Sequence, residues 1–211
     1  MGCLGLVAAA PAGPQDPGPI VNRAAQIYRG LTSLQADFVQ TIADRGLGDT
    51  LTSRGTVVQA GANYFAMRFS DPPGEAVVVD GKYVWIYTPS TQPKQVTRMA
   101  LATDPIYGVN ILAKILDRPR ERYQLRLLKS DEVGGRPAHV VELVPNSPDA
   151  DFTRAVVWFD EQDGLRDRVE FDEGRNARRT FVLSKLRPNV AYTKETFKFD
   201  VPSGVKVIDR S

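Results

Sequence analysis

The hydrophobic pattern of the chain changes its period after Leu34. Between Ile20 and Leu34, apolar residues recur at spacings of three and four, which predicts one amphipathic helix. From Gln35 to Ile42 apolar and polar residues alternate, and a second alternating run covers residues 53–59. A period of two is typical of a strand with one buried face. The segment RGLGD, residues 45–49, predicts the turn between these two strands.

The remainder of the chain predicts short strands and one further helix. The run from Asp104 to Leu116 has a broad apolar stripe at helical spacing, with Pro105 suited to its first turn. Turn signals rich in Gly, Asn, Asp and Pro separate the other apolar runs. The predicted strands cover residues 63–69, the hairpin 77–88, and 95–98, 123–128, 138–144, 155–159, 167–171, 178–186 and 196–199.

Strands that follow one another in meander order favour a single antiparallel sheet. We therefore predict a mainly β fold with α: an incomplete, half-open antiparallel β-barrel of about 10–11 strands covered by a helical lid. The chain has 211 residues and shows no internal repeat. Residues 19–211 are accordingly expected to form one domain.

The hairpin VVVDGKYVWIYT, residues 77–88, is apolar on both faces. Antiparallel hairpins usually leave one face to water, so this one raises the question of what covers it. A wrapped sheet of this strand number encloses more volume than two short helices fill, which predicts a ligand cavity beneath a helical lid. One face of the hairpin is expected to line that cavity, and the other to contribute exposed apolar surface.

Composition and charge are those of an ordinary globular protein, with 42% hydrophobic and 25% charged residues. No internal run reaches the ~20 apolar residues that a membrane helix needs. The 27 Lys and Arg are spread among 25 Asp and Glu, for a net charge of +2. The charge pattern therefore does not favour a nucleic-acid partner.

Candidate catalytic and metal-binding residues are few. His139 is the only histidine of the sequence and stands in the strand pattern AHVVELV, where a structural role is the simpler interpretation. The sequence has no His cluster, Cys pair, phosphate-binding glycine loop or nucleophile elbow, and FDEQDG, residues 159–164, has the pattern of a hairpin turn. We therefore expect no enzymatic activity and no cofactor.

The N-terminal residues 1–18 resemble the second half of a secretory signal peptide, with small and apolar residues before a Pro- and Gly-rich exit. A basic start is missing, so we expect that the true start codon lies upstream and that the protein is exported. The alternative is a disordered tail in a cytosolic protein. The single cysteine, Cys3, allows no internal disulfide, and its lipidation would instead anchor the protein to a membrane.

Large apolar side chains are the most abundant candidates for a function. On a curved sheet they form either a filled core or the lining of a ligand cavity. The set is Phe38, Phe65, Met67, Phe69, Trp85, Tyr87, Trp158, Phe171 and Phe181.

Several short motifs follow one another along nearly the whole chain after the leader. They are LQADFVQ at 34–40, the strand led by Gly55, Asp80-Gly81 with VWIYTP at 84–89, QVT at 95–97, and FKFDVPSGVKVID at 197–209. Each motif is modest alone. In this order and at these separations, they resemble the outer-membrane lipoprotein carrier proteins of the LolA family.

The resemblance implies an incomplete β-barrel with a hydrophobic cavity that accepts the acyl chains of lipoproteins. It also implies a monomeric periplasmic shuttle without covalent chemistry. An inner-membrane ATP-driven lipoprotein-release complex loads such a carrier, and an outer-membrane lipoprotein acceptor receives the cargo. Carried over residue by residue, the cavity lining is Phe38, Phe65, Met67, Phe69, Trp85, Tyr87, Ile111, Leu112 and Leu116.

One departure from the family pattern concerns the lid. The family commonly carries an Arg-Pro pair after the strand led by Gly55, and the arginine helps to hold the lid shut. Here Gly61-Ala62 stands in that place. Arg68 follows nearby, but it alternates out of phase with Phe65 and Met67, so we do not expect it to take this role.

Two alternative functions stay open at this point. The same fold also suits a carrier of another lipid, a glycolipid or a signalling peptide, because a fold alone does not fix a function. A membrane-anchored lipoprotein acceptor is the other alternative, and it requires lipidation of Cys3.

Overall fold

The N-terminal helix lies where the apolar spacing predicts it, but it is shorter than predicted. Helix α1 spans Gly18–Arg29 and buries one stripe of residues along its length, namely Val21, Ala24, Ala25 and Tyr28. It ends at Gly30, whose backbone N–H donates to the carbonyl groups of the last turn. Leu31 and Leu34 pack against the same apolar cluster from the connection and the first strand.

The coordinates are those of a computed structural model, which describes residues 16–44, 46, 48–61, 63–101, 115–164, 166–174 and 177–210. Most of the predicted leader, residues 1–18, therefore lies outside the described part. Of the predicted helix 104–116, only Ile115 and Leu116 are described, and both are helical and buried. A single helical turn, α2, follows at Pro119–Arg122. None of the described helices is long and apolar enough to cross a membrane.

Twelve strands are described. Most are joined by short turns, as the meander pattern predicts. Their bounds are β1 Ser33–Asp44, β2 Thr50–Ala60, β3 Tyr64–Asp71, β4 Pro73–Asp80, β5 Tyr83–Tyr87, β6 Gln95–Ala100, β7 Tyr123–Val133, β8 Arg136–Pro145, β9 Arg154–Asp160, β10 Arg166–Asp172, β11 Ala177–Pro188 and β12 Lys206–Arg210.

All twelve strands form one sheet, in the order β12-β6-β5-β4-β3-β2-β1-β11-β10-β9-β8-β7. Neighbouring strands are antiparallel, except that β12 runs parallel to β6. Strands β12 and β7 are the two edges and do not pair with each other, so the curled sheet is open. The predicted fold class, a mainly β protein with an incomplete antiparallel barrel, is confirmed, with 12 strands rather than 10–11.

Two differences from the predicted strands lie near the C-terminus. Residues 196–199 were expected to be extended, but a 3-10 helix occupies Lys194–Phe197. Thr193 and Thr196 bond reciprocally through side chain and backbone at its start, which stabilises this turn. Strand β12 was not predicted. Its five residues pair with β6, which is far away in sequence, so no turn between the two strands indicates the pairing.

The two faces of the sheet have different cover. We call the face on which α1 lies the inner face and the opposite face the outer face. Over strands β7 to β11 the inner face packs against α1, Ile115 and Leu116. We call this group the helix-covered cluster, and its largest fully buried strand residues are Leu143, Phe159 and Phe171.

Residues 190–205, which we call the C-terminal segment, cross the outer face beside strands β2 to β6 and lead into β12 at the edge of the sheet. Phe197 is buried there, and Phe199, Val205 and Val207 pack against the same outer cluster, which contains Ala60, Ala66, Ala76, Val78, Trp85 and Val96. The outer face of the hairpin 77–88 is therefore covered by the C-terminal segment. The expectation that it contributes exposed apolar surface is wrong, because Val78 and Trp85 are buried.

Candidate binding site on the inner face of the sheet

Four of the residues predicted to line a cavity lie together on the inner face. Phe38 of β1 and Phe65 and Met67 of β3 belong to one apolar cluster, and Phe69 packs against it. The first three are only 2%, 5% and 7% exposed. The rings of Phe38 and Phe69 meet edge to face, with centroids 5.2 Å apart. We call this group the β1–β6 cluster, after the strands that supply most of it.

The pairing register explains why these side chains meet. Phe38 of β1 lies opposite Gly55 of β2, and Gly55 lies opposite Phe69 of β3. A Cβ at position 55 would lie 2.9 Å from the Phe38 ring and 2.0 Å from the carbonyl oxygen of Arg68. Because Gly55 has no side chain, the rings of Phe38 and Phe69 contact each other across β2.

The same rows continue into β4, β5 and β6 with aliphatic side chains. Phe65 lies opposite Val79, and Val79 lies opposite Val84. The sequence analysis missed these residues because, on the strands, it selected only aromatic side chains and Met67, although their alternation in step with Phe65 was a usable signal. The residues that extend the cluster are Val57, Val77, Val79, Val84, Ile86, Met99, Leu101 and Leu183.

Trp85 and Tyr87 lie on the outer face and are not part of this group. They alternate with Val84 and Ile86 along β5, so the strand geometry directs them to the opposite side of the sheet. Trp85 is buried in the outer cluster, where its Nε1 donates to Oδ2 of Asp80 at 2.8 Å. The two residues are therefore removed from the proposed lining of the inner face.

Leu116 lies on the inner face, but in the helix-covered cluster, where it is 3% exposed. Phe181 and Leu186 of β11 pack against both inner clusters. The apolar surface is therefore continuous from the strands under α1 to the strands of the β1–β6 cluster. Ile111 and Leu112, the other two predicted lining residues, lie outside the described residues.

Polar side chains mark one end of this apolar surface. Gln40 follows Phe38 on the same face of β1, and its Nε2 donates to Oγ of Ser53 at 3.2 Å. Arg179 of β11 donates to Oε1 of Gln40 at 3.4 Å and pairs with Glu173 at 2.6 Å. The inner face thus passes from packed rings to a hydrogen-bonded polar row within two residues of Phe38.

A separate cavity of about 490 Å³ opens beside β1, β2 and β3. Phe38, Gly55 and Phe69 touch it, but its other lining residues alternate with these three along their strands or lie on β11. They are Asp37, Val39, Arg54, Thr56, Arg68, Ser70 and Ser184. Such a mixture of charged and hydroxyl groups does not suit an acyl chain. The candidate site therefore stays on the inner face.

Gly61 stands in the turn between β2 and β3, at the place where the family pattern has an arginine. Its φ is 55°, which favours glycine over any residue with a Cβ, and Ala62 lies outside the described residues. Arg68 donates from its guanidinium to the carbonyl oxygen of Lys198 at 2.8 Å. It therefore contacts the C-terminal segment on the outer face, in agreement with its phase along β3.

Nδ1 of His139 lies 3.5 Å from the carboxylate of Glu161, at the end of the neighbouring strand. Within the described ranges, His, Cys, Asp and Glu side chains do not gather in threes as metal ligands would. The arrangement that stands out is the continuous apolar inner face.

These features define a class of protein in which an open, curled antiparallel sheet presents an apolar face beneath a helix. The chain belongs to the LolA family: the family model described as outer membrane lipoprotein carrier protein LolA matches residues 29–200. That span runs from the end of α1 through β11 and the 3-10 helix. Strand β12 lies beyond it.

Individual relatives agree with the family match. The outer-membrane lipoprotein carrier protein of Shewanella sp. (strain MR-7) is 29% identical over 186 residues, which cover 88% of this chain and 84% of the relative. The protein of the same name from Pseudomonas putida (strain W619) is 26% identical over 212 residues, covering 99% and 93%. Among solved structures, an uncharacterized conserved protein from Thermus thermophilus superposes with a TM-score of 0.59 at 16% identity, covering 93% of this chain and 100% of that one. This last likeness shows the fold alone.

Proposed function

We propose that the protein is a periplasmic carrier that binds the acyl chains of lipoproteins on its inner face and moves lipoproteins from the inner to the outer membrane. The observation that carries the proposal is the continuous apolar inner face, formed by the helix-covered cluster and the β1–β6 cluster. Membership of the LolA family supports the same function. The relatives in Shewanella and Pseudomonas, which are named as lipoprotein carriers, support the choice of cargo.

The physical task of such a carrier is to keep a lipid anchor out of water. Each methylene exposed to water is unfavourable by about 0.8 kcal/mol, so an acylated protein does not cross an aqueous space alone. Val, Ile, Met and Phe side chains make nondirectional contacts and accept an acyl chain in any register. The same property allows release when a more apolar site is offered, and no covalent step is needed.

The β1–β6 cluster must open before it binds an acyl chain. Its seven buried members are at most 8% exposed, so a ligand gains access only when the groups that cover them move. An opening that is unfavourable by a few kcal/mol still leaves the open state populated at about 0.1–10%. Binding then shifts the protein toward that state.

The proposed partners follow from the proposed transport. An ATP-driven lipoprotein-release complex in the inner membrane would load the carrier, and a lipoprotein acceptor in the outer membrane would receive the cargo. The carrier acts as a monomer in this scheme, because one curled sheet supplies the whole apolar face.

A release assay tests the proposal. Inner-membrane vesicles with a labelled lipoprotein are incubated with ATP and the protein, and label in the supernatant is the expected result. Phe69→Gln places an amide beside Phe38 on the inner face and should reduce release several-fold, because burying an unpaired amide is unfavourable. Tyr87→Gln makes a comparable change on the outer face and should release label like the wild type. No label in the supernatant with the wild type would contradict the proposal.

Mass spectrometry of the lipid that co-purifies with the protein separates the proposal from its alternatives. Acylated peptides or lipoproteins support the proposed cargo. A glycolipid as the main bound species would instead support a carrier of another lipid on the same fold.

A further inference from the structure

A hydrogen bond joins the end of helix α1 to strand β2. The hydroxyl of Tyr28, in the last turn of α1, donates to Oε1 of Gln59 near the end of β2. Tyr28 is 8% exposed and belongs to the helix-covered cluster. Nε2 of Gln59 lies 3.4 Å from the carbonyl oxygen of Gly61, which orients the amide so that its oxygen accepts from Tyr28.

Gln59 stands in a row of otherwise apolar inner-face residues. It lies opposite Leu34 of β1 and Phe65 of β3, and the row continues with Val79 of β4. Leu34 belongs to the helix-covered cluster and Phe65 to the β1–β6 cluster, so Gln59 marks the boundary between the two. A partly buried amide in an apolar row needs a hydrogen-bond partner, and the Tyr28 hydroxyl supplies one.

The rest of α1 contacts the part of the protein formed by strands β7 to β11 and α2, which we call the β7–β11 half. Arg23 donates to the carbonyl oxygen of Gln162 at 2.8 Å, in the turn between β9 and β10. Gly164 of the same turn packs so closely against Ile27 that a Cβ there would lie 2.8 Å from Cδ1 of that side chain. At the start of the helix, Asp16 pairs with Arg120 of α2 at 2.5 Å. These contacts hold the first two turns and one side of α1 to the β7–β11 half.

We propose that Tyr28 and Gln59 are positioning residues that hold the last turn of α1 over the boundary between the two inner clusters. When their hydrogen bond breaks, the end of the helix moves and acyl chains reach the β1–β6 cluster. The identity of the ligand rests on the proposed function, whereas the positioning role rests on the contacts alone. A hydrogen bond suits this task because water can replace either partner at small net free energy, whereas opening an apolar contact exposes surface to water.

Hydrogen exchange tests the positioning role without any ligand. Tyr28→Phe keeps the ring and removes only the hydroxyl. We expect amide exchange of residues 26–30 to become about two- to tenfold faster, the factor that corresponds to one hydrogen bond of ordinary net strength. Tyr87→Phe removes a hydroxyl that donates to the carbonyl oxygen of Pro93 on the outer face, and it should leave these amides unchanged. Unchanged exchange in Tyr28→Phe would overturn the proposal.

Stopped-flow uptake of a fluorescent long-chain fatty acid tests the control of access. Tyr28→Phe should take up the probe about two- to tenfold faster than the wild type. The double variant Tyr28→Phe, Gln59→Leu replaces the hydrogen bond with an apolar contact that water cannot replace, and it should take up the probe more slowly than Tyr28→Phe. Equal uptake rates in the three proteins would overturn the proposal. A Tyr28→Phe variant with a shifted urea midpoint and a wild-type uptake rate would overturn it as well.

The two proposals fail in different ways. If the wild type and both variants all leave the fatty acid unbound while Tyr28→Phe still speeds exchange at the end of α1, the carrier function is contradicted and the positioning role is supported. If the wild type binds the probe and the Tyr28→Phe variant shows wild-type exchange and uptake, the carrier function stands and the positioning role is contradicted.

Discussion

Trp85 stacks on Phe199, with ring centroids 5.5 Å apart and an interplanar angle of 24°. Trp85 belongs to β5 and Phe199 to the C-terminal segment, so this contact fixes the segment to the outer face of the hairpin 77–88. Tyr64 of β3 contacts Phe197 of the same segment, with centroids 5.4 Å apart and the rings tilted by 42°. The hairpin is apolar on both sides because its outer residues pack against the C-terminal segment and its inner residues belong to the β1–β6 cluster.

Removing the Phe197 ring should detach this cover. The side chain is 1% exposed within the outer cluster, and truncating a buried Phe loses its transfer free energy and leaves a cavity. We expect Phe197→Ala to lower the free energy of unfolding by about 3–5 kcal/mol, measured by urea titration with tryptophan fluorescence. Tyr192→Ala is the control, because Tyr192 touches Phe197 but is 45% exposed, and its effect should be much smaller. Equal losses of unfolding free energy in the two variants would contradict the conclusion that the buried Phe197 ring holds the C-terminal segment on the outer face.

Neighbouring residues of β3 should show separable effects. Met67 faces the β1–β6 cluster, whereas Arg68 donates to the carbonyl oxygen of Lys198 on the outer face. Met67→Ala should lower stability by about 2–5 kcal/mol and weaken fatty-acid binding. Arg68→Ala should speed amide exchange in residues 196–199 and leave fatty-acid binding as it is. Weaker binding in Arg68→Ala with unchanged exchange would show that the two faces are assigned wrongly.

The sequence predicted the parts of the fold that depend on neighbouring residues. The change from a helical to an alternating period and the alternation of β3 each report a local backbone choice, and the structure has a helix followed by strands there, although α1 ends at Arg29 and β1 begins at Ser33. Strands β1 and β2 pair on either side of the predicted turn at 45–49, of which residues 46, 48 and 49 are described. Alternation also predicted that Phe65 and Met67 share a face and that Arg68 does not.

The sequence could not show which face of β5 turns inward. Val84 and Trp85 are both apolar, so the strand has no alternation of apolar and polar residues that would distinguish its two faces. That choice depends on the register with β4, where Val84 pairs with Val79. Strand β12 was missed for a related reason, since its parallel pairing with β6 is not set by any turn. The partner of Gln59 was equally hidden, because Tyr28 reaches it from a helix.

Gly55 should tolerate no side chain, since a Cβ there would lie 2.0 Å from the carbonyl oxygen of Arg68 in the paired strand. Gly55→Ala must push β2 and β3 apart or displace the Phe38 ring, and we expect a loss of more than about 2 kcal/mol. Gly174→Ala is the matched control, because no heavy atom of the described residues, apart from its neighbours in the chain, lies within 4 Å of a Cβ at that position. Urea midpoints that agree between the two variants would contradict the close approach at Gly55.

Charged side chains cover a small apolar cluster on the outer face of the β7–β11 half. Val140, Val156 and Trp158 are buried there, and the Arg168 guanidinium lies 4.7 Å from the centroid of the Trp158 ring. The long stems of such residues cover apolar surface while their charged ends stay hydrated or paired. Glu142 is central to this arrangement, since its carboxylate accepts hydrogen bonds from arginines on both neighbouring strands.

Glu142 should make the stability of the protein depend on pH. Burial raises the pKa of its carboxyl, but the hydrogen bonds from Arg154 and Arg126 lower it more, so that the pKa in the folded protein lies below its usual value of 4.5. A carboxyl with a lowered pKa stabilises the folded state above its unfolded pKa. This contribution is lost as the pH falls below 4.5 and through the folded pKa.

The variant Glu142→Gln isolates that contribution. It keeps the shape of the side chain and removes the charge, so it should be less stable than the wild type by about 1–3 kcal/mol near neutral pH. The difference should shrink as the pH falls below 4.5, because the wild-type carboxyl then becomes neutral as well. Glu195→Gln changes an exposed carboxylate, 78% accessible, and should follow the wild type at every pH. Urea unfolding across this range measures all three proteins, and a constant difference between Glu142→Gln and the wild type would contradict the assignment to Glu142.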